Sequence, residues 1–247
     1  GARANSSSPL AAISSPITPS FTGDAIVTTP GALDDVFRAM QAQPGVAASQ
    51  DNRNDLLVRG GGAIENQTRI DGFDVPNPNH FGAQGGTGGA LSILPPWLIA
   101  HGSLELGGYS VAYGDRMSSV ADISLRPGRT DRVHGMLGGG IGGAMGVAEG
   151  ALGASGAWIV SARRSLLEAV FRDETADAVP RYADALVRVN RTAGARHAIT
   201  FLGLGAKDGV DVRDERTGES EITGDEAVGL AGLRLDSAWS GRTSSTI

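Results

Sequence analysis

The chain has 247 residues with 21 Lys and Arg against 27 Asp and Glu, and this acidic balance, with a pI near 5.2, argues against a nucleic-acid surface. The absence of cysteine excludes a disulfide framework and a thiolate metal site, and no 18-residue apolar window is present to form a transmembrane helix. A membrane β-barrel leaves no such window, because its strands alternate lipid-facing and lumen-facing side chains; 37 glycines against six Phe, three Trp and three Tyr suit thin-walled β structure rich in turns.

Residues 1–23 are rich in Ser, Pro, Thr and Ala and lack periodicity, so they read as a flexible leader. The leader has no apolar signal region, although Ala2-Arg3-Ala4 carries the small-x-small pattern of a cleavage site. From 24 to about 130 the pattern predicts an α/β module. Ala25 to Thr29 is a β-branched run and reads as a strand. Pro30-Gly31 then turns into a helix with Asp34 and Asp35 in its first turn and Leu33, Val36, Phe37 and Met40 on one face, ending before Pro44-Gly45. Strands are expected at Leu56–Arg59 and Thr68–Ile70 around a glycine turn, with Asp71-Gly72 as a turn fixing the next strand. A glycine loop at 83–94 and strands at Ser103–Leu106 and Ala121–Leu125 complete the module.

After Arg132 the texture changes to strand-length segments with period 2. Asp184, Leu186, Arg188 and Asn190 fall on one face of their segment, and Ala185, Val187 and Val189 on the other. Ala231, Leu233, Leu235 and Trp239 oppose Arg234 and Asp236; Trp158, Val160 and Ala162 oppose Ser161 and Arg163. Such a sheet has a greasy side and a wet side. A soluble sandwich buries the first and a membrane barrel turns it to lipid, and pattern alone does not separate the two.

Five blocks in order carry a resemblance: "DDVFRAMQAQPGV" (34–46), "LLVRGG" (56–61), "RIDGFDVPNPNHFG" (69–82), "GGALSILPP" (88–96) and "LELGGYSVAYGDRMSSVADISLRPG" (104–128). Together they resemble the plug domain of TonB-dependent outer-membrane receptors, and "EGALG", "SARRS" and "PRYADALVRV" farther on resemble that family's first barrel strands. The resemblance implies an α+β plug domain (24–130) followed by antiparallel transmembrane β-barrel strands (131–247), the N-terminal part of a plugged barrel of about 22 strands. It implies no catalysis and no cofactor. The implied function is energy-coupled uptake of a scarce nutrient (a siderophore, cofactor, oligosaccharide or peptide) through the cell outer membrane, gated by the plug. The alternative is a non-transporting binding or structural module of the same descent. Implied partners are a TonB-type energy-coupling protein in the periplasm, outer-membrane lipid, a small extracellular ligand and, as a further candidate, a surface lipoprotein.

Arg59 matches the family's Val-Arg-Gly arginine, which pairs with barrel carboxylates where plug meets wall; an arginine fork suits a bidentate pair that breaks and reforms. The second latch arginine is missing before the Tyr-Gly pair, where Leu106-Gly107-Gly108 stands, and Arg116 is the candidate to replace it. Gly60, Asp71, Gly72, His80, Tyr113 and Gly114 fall on plug motifs. Asp24, Ala25, Ile26, Val27 and Thr28 have a composition passable for the family's extended coupling box, but their place before the Pro-Gly turn favours a plug strand. Val187, Val189, Leu233 and Leu235 are expected outward on lipid, and Asp184, Arg188, Arg234 and Asp236 inward.

Family topology makes 165–180 and 207–226 extracellular loops, the second acidic. That acidic run lacks the spacing of a calcium loop and reads as solvated surface. "GGGIGG" (138–143) satisfies a dinucleotide fingerprint, yet neither a helix nor a suitably spaced acid follows, and it reads as glycine-rich barrel strand. The four histidines show no metal spacing, and no nucleophile motif supports a soluble hydrolase. The residues after Arg132 suffice for about seven strands of about 10 residues each, with "RTSSTI" starting the seventh, so the expectation is a longer protein whose remaining wall closes the barrel.

Overall fold

In the computed structural model, which describes residues 18–82, 88–110, 113–140, 143–166, 178–213, 220–241 and 243–247, the chain divides after Arg126 into two units. The first unit opens with β1 (Ser20–Phe21), α1 (Gly23–Thr28) and α2 (Val36–Gln41), followed by β2 (Val46–Ala48) and β3 (Leu56–Val58). Then come β4 (Asn66–Ile70), β5 (Phe73–Asp74), β6 (Asn79–His80), β7 (Leu91–Ser92), β8 (Ile99–Leu106) and β9 (Ser119–Leu125), with single 3₁₀ turns at Ala63–Glu65 and Pro96–Leu98. Its main sheet has the order β1-β8-β9-β4-β5; β4 and β9 run parallel and the other pairs antiparallel.

Three expectations are corrected here. Residues 18–23, counted with the leader, are part of the fold: Ser20 and Phe21 pair with Ser103 and Gly102 of β8. Residues 1–17 lie outside the described residues. The strand expected over Ala25–Thr29 is helix α1, so the extended stretch that a coupling box over Asp24, Ala25, Ile26, Val27 and Thr28 requires is absent there. Thr22, in extended conformation, caps the helix by accepting the Ala25 N–H at 3.3 Å, and Asp24 sits in the first turn. Tertiary contact completes the override of β propensity. Ile26 is fully buried, and a Cβ added to Gly23 would lie 2.2 Å from the Pro96 carbonyl oxygen. The second helix is also shorter than expected. Leu33 and Asp34 take left-handed φ of 52° and 57°, so Leu33 points to solvent, 75% exposed, and Asp35 rather than Asp34 begins the helix.

The core of this unit is aliphatic. Ile26, Val36, Phe37 and Met40 of the helices are buried, as are Ile70, Leu104, Leu106, Ile123 and Leu125 of the central strands and Ile93, Leu94 and Leu98 of the connecting segment. Residues 83–87 of the expected glycine loop lie outside the described residues.

The second unit is one meander of seven antiparallel strands in chain order: β10 (His134–Gly140), β11 (Gly143–Ala151), β12 (Gly156–Arg164), β13 (Ala178–Ala193), β14 (His197–Arg213), β15 (Ser220–Ser240) and β16 (Thr243–Thr246). Ile141 and Gly142 of the dinucleotide-like run lie outside the described residues; the rest of it is hairpin, with Gly140 opposite Gly143. Residues 167–177 of the first expected loop lie outside them too. The second expected loop, 207–226, is corrected: β14 and β15 stay paired from Asp208 opposite Glu226 through Val212 opposite Ile222. A run of charge does not by itself end a hairpin, because the ladder is made by backbone groups whatever the side chains carry. Asp214, Glu215 and Glu219 lie outside the described residues.

Candidate functional site

Two of the sequence motifs form the same local structure. In Val58-Arg59-Gly60-Gly61, Arg59 and Gly60 take φ of 49° and 84° and the Gly61 N–H donates to the Val58 carbonyl at 2.9 Å. In Ile70-Asp71-Gly72-Phe73, Asp71 and Gly72 take φ of 51° and 85° between the paired residues Ile70 and Phe73. Two successive positive φ values are the signature of a type I′ turn, which Asp-Gly favours and Arg-Gly does not. The buried Asp71 carboxylate explains its place: Oδ1 accepts the Leu125 N–H at 2.9 Å and so ties off the end of β9. Arg59 has no such local reason. It is exposed, contrary to the expected burial, and its side chain lies beside Gly107, with no hydrogen bond or ion pair to its guanidinium among the described residues. A non-glycine residue held at φ of 49° costs on the order of 1 kcal/mol.

His80 sits in a buried polar knot that the sequence reading underestimates. It is fully buried, pairs with Leu91 across β6 and β7, and its carbonyl accepts the Ala90 N–H at 2.9 Å. Behind it, the buried Asp35 uses one oxygen to cap α2, accepting from Phe37 N at 2.9 Å, and the other to accept from Asn54 Nδ2 at 2.8 Å and Ser92 N at 2.7 Å. Asn54 also donates to Asn79 Oδ1 at 3.0 Å. One carboxylate therefore joins a helix start, a loop and a short strand, and Asn54 links this group to a second strand. Nearby, Arg53 and Asp55 pair at 2.6 Å. Burial pushes the Asp55 carboxyl up, but hydrogen bonds from Arg53 and Ser49 and the Arg53 charge outweigh it and leave it below the ordinary range.

Among the described residues Arg116 pairs with no carboxylate. Its guanidinium donates to the Asn66 and Asp115 carbonyls at 3.2 and 2.7 Å, and its own carbonyl accepts the Tyr109 hydroxyl. Gly114 is exposed with open space where a Cβ would stand. Tyr113 belongs to the polar face of the main sheet: its hydroxyl donates to Asp122 Oδ2 at 2.9 Å and its ring lies 5.2 Å under the Arg69 guanidinium carbon. Arg69 also donates to the Gly72 carbonyl at 2.7 Å. On the same face burial, with the nearby Asp122 charge, pushes the Glu105 carboxyl above the ordinary glutamate range, and burial with the same charge raises the Tyr113 hydroxyl.

In the second unit one face is buried and carries mixed chemistry. Leu186 and Leu202 are 1% and 0% exposed, and Asp184, Arg188 and Thr200 are buried beside them. Arg163 grips Asp184 across β12 and β13 with both oxygens, Nε to Oδ1 at 3.1 Å and Nε to Oδ2 at 2.9 Å. The opposite face carries Val160, Val187, Val189, Phe201 and Leu233 and meets solvent, Leu233 being 66% exposed. The expected separation of Val187, Val189, Leu233 and Leu235 from Asp184, Arg188, Arg234 and Asp236 holds in the strand alternation. Arg163–Asp184 and the Asp35 knot were not singled out as sites in the sequence; Asp35 was visible as a helix-start residue, but its long-range partners were not. Among the described residues no group of three or more His, Asp or Glu side chains is arranged to hold a metal ion.

No family model and no curated protein matches the sequence. Solved structures do. A variant of the ferric enterobactin receptor PfeA of Pseudomonas aeruginosa, in complex with enterobactin, matches with a TM-score of 0.65 at 14% identity over 94% of this chain and 40% of that one. The outer membrane transporter YddB of Escherichia coli matches at 0.62, 13% identity, 90% of this chain and 37% of its own. FpvA of P. aeruginosa bound to a pyoverdine–iron complex matches at 0.61 and 12% identity, over 91% of this chain and 32% of that one. The chain spans two fifths or less of each of these proteins. A first unit with a mixed sheet, a meander of seven strands with an exposed apolar face, and matches over nine tenths of the chain lead to one assignment: the chain has the fold of the plug and first barrel strands of TonB-dependent outer-membrane receptors.

Proposed function

We propose that this chain is the plug and first wall strands of an outer-membrane receptor that takes up a scarce nutrient from outside the cell, with energy delivered through a TonB-type periplasmic protein. The observation that carries this reading is the exposed apolar face of β12–β15 in a unit that follows a plug-like unit. Water does not favour such a face, and lipid does. The ferric enterobactin receptor and FpvA with its bound pyoverdine–iron complex, together with matches to a copper transporter and an iron transporter, favour a metal or metal chelate as the nutrient class. The wall of about 22 strands is part of this proposal, as are the small extracellular ligand, the lipid surroundings and a surface lipoprotein.

Within that reading Arg59 is the latch. Its left-handed backbone, which no local contact explains, is what supports a role in pairing with a wall carboxylate that forms and breaks as the plug moves, although Arg59 is exposed rather than buried. Arg116 supports the loop of the Tyr113-Gly114 motif instead. The test is uptake of radiolabelled ferric chelates by cells carrying the intact protein. Accumulation that stops when the proton-motive force is collapsed, while surface binding persists, is the expected outcome. Binding with no energy-dependent accumulation of any chelate would favour the non-transporting module.

A further inference from the structure

At one end of the exposed apolar face, three cations form a rim. Strand pairing sets Arg164, Ala183, Lys207 and Ala227 side by side across β12, β13, β14 and β15. One step farther from the apolar face, Arg181, Gly209 and Asp225 stand in register. Side chains alternate, so Arg164, Arg181 and Lys207 share the face of Val160, Val187 and Leu233, not that of Asp184 and Leu186. Arg164 and Lys207 are exposed. A Cβ added to Gly209 would lie 2.8 Å from an Asp225 carboxylate oxygen and 3.3 Å from an Arg181 guanidinium nitrogen, so these two groups meet over the glycine. The small residues between the cations leave an open groove of about 450 Å³, whose lining Tyr182 and Asp208 complete.

The rim sits where a bilayer would end. At the far end of the same face His197 and Trp239 pack edge to face at 5.6 Å, an aromatic pair of the kind that favours a membrane boundary. Ten residue steps along β14 separate His197 from Lys207, about 25 Å of height for a strand tilted as barrel strands are. That is the height of a barrel's apolar band. Resting on the outer-membrane reading above, we infer that Arg164 and Lys207, flanked by Arg181, bind the phosphate of an anionic lipid headgroup in the surrounding leaflet. The negative charge that is always present at this height beside an outward-facing groove is the lipid phosphate. The exposed Arg164 fork and Lys207 ammonium match its oxygens, while Arg181, which meets Asp225, flanks the groove.

The experiment uses the intact protein from outer membranes, reconstituted in phosphatidylcholine nanodiscs doped with phosphatidic acid, with retained lipid counted by native mass spectrometry. Wild type should retain phosphatidic acid over phosphatidylcholine, and Arg164→Gln with Lys207→Gln should lower that preference about thirtyfold. Arg164→Lys should restore most of it, and Arg191→Gln, an exposed cation at the other end of the strands, should leave it unchanged. Equal preference in wild type and the double variant overturns the site while insertion into nanodiscs upholds the membrane reading. Displacement of the lipid by millimolar inorganic phosphate assigns the groove to free phosphate and overturns the lipid assignment. Failure of wild type to insert into any nanodisc overturns the membrane reading instead.

Discussion

The two units solve the problem of polar groups in opposite ways. In the first, polar side chains are drawn inward and satisfied one by one: Asp35 accepts from Phe37, Asn54 and Ser92, and Asp71 accepts from Leu125. In the second, the backbone ladder satisfies itself strand by strand, and side chains sort by face with period 2. The first unit is thus specified by a few long-range contacts and the second by a repeated local rule. Buried polar groups that hang on a single carboxylate can be released by one change, whereas a backbone ladder spreads the load.

The sharpest way to break this contrast is Asp35→Ala. It removes a helix cap and strands the Asn54 amide and the Ser92 N–H in the core, and should destabilise the first unit by about 4 kcal/mol. Trp97, the tryptophan of that unit, reports it by fluorescence during urea unfolding of the intact protein. If the midpoint stays where it is in wild type, the knot is not what specifies the unit. For the wall, Val187→Arg places a charge in the middle of the exposed apolar face and should cost ~2–4 kcal/mol in bilayers. Tolerance of this change in lipid, read from heat-modifiable mobility, would mean that the face does not meet the membrane.

Asp71→Ala should cost about 2 kcal/mol, by losing the bond to Leu125 N and placing alanine at positive φ. Asp71→Asn should lose less, since the turn tolerates it. At Arg59 the sign reverses. Arg59→Gly relieves the left-handed backbone and should stabilise the first unit by about 1 kcal/mol while lowering energy-coupled uptake. A destabilised plug, or uptake unchanged, would remove Arg59 from the latch.

The smallest effect is expected at Glu105. Burial and Asp122 raise its carboxyl in the folded state, so the folded form holds the proton more tightly than the unfolded one. Its contribution therefore favours folding below the ordinary glutamate pKa and is lost as pH rises through the folded value. Glu105→Gln should flatten that loss: a slight gain in the urea midpoint at neutral pH that disappears at pH of about 4. An equal gain at both pH values would assign the change to packing rather than charge.

How much could be read in advance differs between the units for the same reason. The wall strands were legible because alternation is local: Trp158 and Val160 fell opposite Ser161 and Arg163 within β12, and Val187 and Asp184 fell on opposite faces as expected. Their length was not, because the ladder between Asp208 and Glu226 continues through a charged stretch that composition alone assigns to a loop. In the plug, Asp71-Gly72 was legible as a turn, since two positive φ values favour that pair. The partner of Asp71 was not, because Leu125 lies 54 residues away.

The sequence by itself determined the two-part organisation, the type I′ turn at Asp71-Gly72 and the facial sorting of the wall, because each follows from steric limits or side-chain period within a few residues. Only the tertiary structure decided that Asp24–Thr28 is a helix, that Asp35 joins three segments and that Arg164, Arg181 and Lys207 share a rim. Those outcomes depend on which distant groups arrive to satisfy a hydrogen bond, fill a space or stand next in register, and no local rule carries that information.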